Sequence, residues 1–193
     1  LHSMKVGRVI ARTFRGTVST GIRRTPNRRD FAIKPPAPVL TNWVHDAGRR
    51  VSAIGKIGDI FSMEGIDEVH KGPDSDRMDH LKRLVATAED GSLPFANFVE
   101  FDSEFGHRRD VSGYARALEW FDAEIGKVLR HLRPGDMMIL TADHGNDPTW
   151  VGTDHTRERV PVLVAGTETG ALGQIWFVDV ATLVARHLGV GPS

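Results

Sequence analysis

Two carboxylates and three imidazoles in the second half of the chain have the spacing of metal ligands. Asp102 opens the run Asp102-Ser-Glu-Phe-Gly106-His107, in which an imidazole follows the carboxylate by five residues and Gly106 permits a tight bend. Further along, Asp143-His144-Gly145 halts an apolar, β-capable run, and His155 follows eleven residues after His144 across a loop containing Pro148 and Gly152. Imidazole combined with carboxylate suits Zn, Mn or Fe, whereas Mg and Ca favour all-oxygen shells. The chain has no Cys, so thiolate ligation and disulfides are excluded. Asp102, His107, Asp143, His144 and His155 come from three loops and stop one donor short of filling two sites comfortably, so a two-metal centre is expected. Two divalent ions facing two carboxylates keep a positive surplus. That surplus would hold a phosphate dianion and stabilise an in-line displacement between ions about 3.5–4 Å apart.

Several neighbouring residues have plainer uses. Asp147 before Pro148 reads as a turn residue. Thr141, Thr153 and Thr156 lie close enough to raise the question of a nucleophile, but they read as β-formers and loop residues that satisfy backbone groups, and Ser103 has no stronger claim. Arg108 and Arg109 could touch phosphate, yet they read as exposed arginines heading a helix. His2, His45, His70, His80, His131 and His187 receive no role.

The elements that would position these groups alternate between short apolar strands and amphipathic helices. Val39, Leu40, Trp43 and Val44 line one face of a short helix that Gly48 can end, and Val51 to Ile54 read as a strand. Met78, Leu81, Leu84, Val85 and Ala88 form a second helical stripe, and Phe95 to Phe101 the next strand. Tyr114, Leu118, Phe121, Ile125, Val128 and Leu132 recur every three or four residues, the clearest helix in the chain, with Asp110 or Ser112 as its cap. Met137 to Thr141 and Val160 to Ala165 read as strands, and Asp179 to Leu188 as a last helix closed by Gly189. This alternation predicts an α/β fold with a largely parallel sheet and helices on both faces. In such sheets ligands bind beyond the carboxyl ends of the strands, where Lys56, Asp102 and Asp143-His144 would gather on one edge.

Composition narrows the class. The 193 residues are 40% hydrophobic and 26% charged, with 20 Gly, an ordinary balance for a globular domain or a domain plus a piece. No apolar run approaches the roughly 18 residues of a membrane span, and no signal-peptide pattern is present. With no Cys the chain suits a reducing compartment, and the expected location is cytoplasmic. The formal net charge of +0 conceals an asymmetry: residues 1–30 carry eight Lys or Arg against one acid, Asp30, a local balance of +7. A basic lobe beside an acidic body fits capture of a small anion. Phe14 and Phe31 are too few to form a stacking platform, so nucleic acid is not an expected partner. The Pro cluster from Lys34 to Pro38 marks a hinge or domain boundary, and Leu1 with the strand-like Val6 to Ala11 gives the impression of a chain that starts mid-fold.

Five blocks carry a family resemblance: Gly7-Arg-Val-Ile-Ala-Arg12, Arg24-Thr-Pro-Asn-Arg28, Ile54-Gly-Lys-Ile-Gly-Asp59, Asn97 to Asp110 and Thr141 to Val164. In this order they look like the phosphopentomutases of the alkaline phosphatase superfamily. The resemblance implies an alkaline-phosphatase-like core, with residues 34–193 as its C-terminal part and residues 1–33 as the end of an inserted cap domain. It implies a cytoplasmic isomerase of nucleoside catabolism that interconverts ribose 1-phosphate and ribose 5-phosphate, and their deoxy analogues, through a phosphothreonine and two Mn ions. Carried over by motif, Asp102, His107 and His155 would share one ion, and Asp143 with His144 would hold the other. Arg8, Arg24 and Lys56 would bind the substrate's distal phosphate and sugar. The strand bearing a further metal-binding Asp, and the nucleophilic Thr, are not matched here, so a fragment with little turnover alone is expected.

Two other readings compete. A phosphatase or cofactor-independent phosphoglycerate mutase of the same superfamily would share the Asp-His-Gly block, although the Arg24 to Asp30 and Lys56 blocks favour the pentose enzyme. A non-catalytic binder of metal or phosphosugar is the rival from another class.

Overall fold

A computed structural model describes residues 6–167 and 170–192, and leaves aside the side chains of Arg24 and of residues 26–30. The chain opens with an antiparallel hairpin, β1 (Arg8–Arg15) against β2 (Arg23–Ala32), running from Arg8 opposite Ala32 to Arg15 opposite Arg23, with an irregularity between Arg12 and Phe14. Only the opening of this hairpin was expected. The second strand is arginine-rich and contains Pro26, residue types that suit an edge rather than a buried strand. The segment from 33 to 39 then runs without helix or strand, as its prolines require.

The body of the molecule is a parallel sheet in the order β4-β3-β5, made by β3 (Val51–Ile54), β4 (Glu68–His70) and β5 (Leu93–Ala96). Every residue of the central strand β3 is buried. Because side chains alternate along a strand, Val51 and Ala53 face one side and Ser52 and Ile54 the other. On the first side they join Val44 of α1 (Leu40–Asp46), Ile57 of α2 (Ile57–Ile60) and Ile66, with Leu188 at the end of α5 (Phe177–Leu188) and Val190 just past it packed against them. On the second side α3 (Asp74–Thr87) and α4 (Val111–Leu129) share a cluster centred on Met78, Ile125 and Val128. Helices therefore cover both faces, as the alternation of elements predicted.

Local chemistry sets the helix limits. The Asp110 carboxylate accepts the Gly113 N–H at 2.8 Å and so starts α4. Gly189 adopts the left-handed conformation, φ 64°, that ends α5. The Lys127–Glu124 ion pair, at 2.5 Å, and the Lys82–Glu124 ion pair tie α4 to itself and to α3.

Two expectations need correction. The strand expected from Phe95 to Phe101 stops at Ala96, and Phe101–Gly106 instead forms a π-helical turn. The apolar residues that suggested a strand have other tasks: Phe98 and Phe101 pack edge-on against Phe121, and Phe101 also meets Tyr114. The strand β6 (Met138–Thr141) does not join the parallel ladder; it pairs antiparallel with β7 (Val162–Ala165) as a separate two-stranded unit. Met138 and Leu140 of β6 still pack onto the Met78–Ile125–Val128 cluster, which sets this ladder beside the parallel sheet on a common layer of helices.

Candidate metal centre

The loop between β6 and β7 explains how residues eleven positions apart meet. The ladder holds Thr141 opposite Val162, and an isolated antiparallel bridge pairs Gly145 with Thr156, whose N–H donates to the Gly145 carbonyl at 3.0 Å. Closing the loop at that bridge brings His155 back over His144, with the rings stacked at a centroid distance of 3.6 Å. The interior of the loop is fixed by its own polar groups. Asp147 accepts both the N–H and the hydroxyl of Thr149 at 2.7 Å, and these bonds hold its carboxyl below the usual range. It is the turn residue that its place before Pro148 suggested.

Asp102 reaches this loop from the π-helical turn. One oxygen, Oδ1, lies 3.1 Å from His155 Nε2 and 3.3 Å from His107 Nε2, and the candidate ligand atoms of the three residues all lie within 4.8 Å of one another. His107 Nδ1 is 2.6 Å from the Thr153 carbonyl oxygen. A carbonyl only accepts, so Nδ1 carries a proton, and Nε2 is the ring atom turned toward Asp102 and free of that contact for an ion. A metal-ligating histidine is commonly oriented in this way, with its second ring nitrogen donating to a carbonyl or carboxylate. His144 repeats the pattern, its Nδ1 lying 3.1 Å from the Gly145 carbonyl oxygen. Its Nε2 is 3.7 Å from Asp143 Oδ1, on a side chain that is 72% exposed. The donor types and their grouping thus suit a divalent ion at Asp102, His107 and His155, and Asp143 with His144 stand beside it in a looser arrangement.

The surrounding charge agrees with cation binding. Burial raises the pKa of the Tyr114 phenol, and the negative charges of Asp102, Glu158 and Asp147 raise it further. Of these causes only the negative charges of the three acids would favour a nearby cation, since burial disfavours charge of either sign.

Sequence reasoning missed two residues that hold the centre together. Asn146, 8% exposed, donates its amide to Asp102 Oδ1 at 2.6 Å and accepts from Arg109 at 2.9 Å. Arg109, which read as an exposed helix-heading arginine, also donates to the carbonyls of Gly106, Asp147, Gly152 and Asp154 at 2.5–3.1 Å. Its backbone is left-handed, φ 56°, a conformation that a non-glycine residue keeps only when its surroundings enforce it. The one available signal was Gly106, where a Cβ would collide with the Asn146 amide.

The residues expected to hold phosphate lie on other elements. Arg8 begins β1, and Lys56 precedes α2 directly after the carboxyl end of β3. The backbone of Arg24 pairs with Phe14 in the hairpin, and its side chain lies outside the described residues. Ser62 donates to the Ile33 carbonyl at 3.1 Å and Lys34 pairs with Glu64 at 2.6 Å, contacts that seat the end of the hairpin beside α2 and hence near Lys56. Two of the four hydroxyls considered as nucleophiles have partners: Ser103 donates to the Val99 carbonyl at 3.0 Å, and Thr156 donates to Glu158 at 2.6 Å while accepting the Asp147 N–H.

Comparison with known proteins adds an independent line. A family model described as the Metalloenzyme superfamily matches residues 6–190. A phosphopentomutase of Rhizobium johnstonii is 50% identical over 194 residues, covering 98% of this chain and 48% of that protein. One from Rhizobium meliloti is 52% identical over 190 residues, covering 96% and 47%, and one from Allorhizobium ampelinum is 48% identical over 197 residues, covering 100% and 48%. The chain spans about half the length of these relatives, at 47–48% of each.

Proposed function

Because this chain belongs to the metalloenzyme superfamily, we propose that it supplies the metal-holding half of a phosphopentomutase, which interconverts ribose 1-phosphate and ribose 5-phosphate, or their deoxy analogues. The observation that carries this reading is the position of Asp102 Oδ1 between two imidazole Nε2 atoms, with the His107 proton committed to a carbonyl on the far side of the ring. Asp102, His107 and His155 would hold one ion, and Asp143 with His144 would contribute to a second. Manganese suits this mixture of carboxylate and imidazole.

When bound, such ions neutralise the charge of a phosphoryl group and polarise it for displacement. The chain's own side chains do the orienting. Asn146 and Arg109 fix the direction of the Asp102 carboxylate, and the Gly145–Thr156 bridge sets His155 against His144. Arg8, Arg24 and Lys56 would hold the distal phosphate and the sugar, which accounts for a basic hairpin next to an acidic body. None of Ser103, Thr141, Thr153 and Thr156 is assigned as nucleophile, so the phosphothreonine expected of the family has no counterpart among them. Among the described residues no helix is long and apolar enough to cross a membrane, and a cytoplasmic location is part of the proposal.

The test is a ligand panel on the Mn-loaded chain by titration calorimetry. Ribose 5-phosphate is expected to bind more tightly than 3-phosphoglycerate, and Lys56→Ala to weaken the sugar phosphate while leaving metal content unchanged. A preference for phosphoglycerate would contradict the pentose assignment.

A further inference from the structure

The segment that joins β5 to the π-helical turn is held by a buried ion pair with no ligand of its own. Asp74, 2% exposed, begins α3, yet its carboxylate accepts nothing from the N–H groups of that helix. Oδ1 accepts from the Arg77 guanidinium at 2.6 Å and from the Val99 N–H at 3.2 Å, and Oδ2 accepts the Glu100 N–H at 2.9 Å. Glu100 answers by accepting the Asp74 N–H on Oε1 at 3.0 Å. Arg77, 9% exposed, also donates to the Asn97 carbonyl at 3.3 Å. Gly55 makes room for this approach, because a Cβ there would collide with the same Asn97 oxygen. Three of the four residues between the end of β5 and the π-helical turn, Asn97, Val99 and Glu100, are therefore pinned to one ion pair. The Val99 carbonyl then accepts the Ser103 N–H at 2.9 Å, so the turn that carries Asp102 is built directly on a pinned residue.

A buried ion pair contributes little net stability, since the cost of desolvating two charges offsets their attraction. Burial raises the Asp74 carboxyl pKa against the opposing effect of the Glu100 and Val99 N–H groups and of Arg77, the mark of a charge held at a cost. What the pair does supply is a fixed direction for the backbone leaving β5. We infer that Asp74 is a positioning residue for the ion site at Asp102, acting through the backbone of Val99 and Glu100; the inference rests on the metal reading above. An asparagine at this position would turn a donor toward one of three donors, and the segment would lose its anchor while α3 kept its sequence otherwise intact.

Mn2+ binding, measured by titration calorimetry on the whole chain, tests this beside thermal unfolding followed by circular dichroism. Asp74→Asn is expected to weaken Mn2+ binding by about 10-fold or more, the scale seen when groups supporting metal ligands are lost, at a temperature where the variant remains folded. Val128→Ala, a core change on α4, is expected to lower the melting temperature without changing the affinity. Unchanged affinity in a folded Asp74→Asn variant would overturn the inference, as would a loss of affinity in Val128→Ala that follows its loss of stability in the same proportion. If Asp74→Asn does not fold, Glu100→Ala carries the test: weaker binding supports the clamp and unchanged binding overturns it. Absence of Mn2+ binding by the unsubstituted chain, with Asp102→Ala indistinguishable from it, would instead remove the metal reading and this inference with it.

Discussion

The guanidinium of Arg109 bonds to four carbonyl oxygens and the Asn146 side chain, and these partners belong to both loops that carry His107 and His155. Replacing it removes the cross-links between those loops and strands an Asn146 that is nearly buried. Arg109→Ala is therefore expected to lower divalent-metal affinity by roughly 10- to 100-fold, as losses of outer-shell partners do. Calorimetric titration checks this, and an affinity within about 2-fold of the unsubstituted chain would show that the loops close without it. Of the five candidate ligands put forward from the sequence, the structure brings ligand atoms of Asp102, His107 and His155 within 4.8 Å of one another, and their recurrence as carboxylate and imidazole in loops after apolar runs is what made them candidates. Arg109 and Asn146 were not, because their roles exist only after two segments some forty residues apart have come together.

At the scale of elements, the π-helical turn decides where Asp102 points. Phe95 to Phe101 looked like one strand because the residues are apolar and β-capable, and periodicity cannot distinguish a short buried strand from another buried conformation. The resolving facts are tertiary: Phe98 and Phe101 are drawn against Phe121 of α4, and Asp74 takes the N–H groups of Val99 and Glu100 that a strand would have offered to a neighbour. π-helical turns are rare and often occur at functional sites. The turn ends at Gly106, whose missing side chain admits the Asn146 amide. Gly106→Ala would push that amide off Asp102. The variant is expected to remain folded, because the two main apolar clusters are untouched, and to bind metal more weakly. Circular dichroism and metal titration on the same sample would show both, and unchanged binding would mean that Asn146 does not orient the carboxylate.

Across the whole molecule, the alternation of helices and strands announced an α/β body with both sheet faces covered. It did not reveal β4, three residues long, or the separation of β6 and β7 from the parallel ladder. Such short strands leave almost no periodicity to read, and pairing partners are chosen by the helix layer beneath, here through Met138 and Leu140 on the α3–α4 cluster. The same two helices are joined by Glu124, whose carboxyl is held below its usual 4.5 first by Lys127 and then by Lys82. Glu68 is lowered likewise by Ser52 and Arg50, and Asp136 by Arg133. A carboxyl with a depressed folded-state pKa contributes stability that is complete above its unfolded value and lost as the pH falls through the depressed one. Asp74, raised by burial, has the opposite sign and gains on protonation. With these three and Asp147 lowered against Asp74 raised, the urea midpoint is expected to decline as the pH falls below about 4.5, and Glu124→Gln to flatten that decline. A midpoint indifferent to acid would mean that these carboxylates do not keep their partners in solution.

The central claim is that Asp102, His107 and His155 grip one divalent ion. Anomalous diffraction from crystals of the chain grown with Mn2+ tests it most directly. The expected result is a manganese peak about 2.0–2.3 Å from an Asp102 carboxylate oxygen and from Nε2 of both histidines. A folded chain with no peak there, or with its manganese on other residues, would contradict the account.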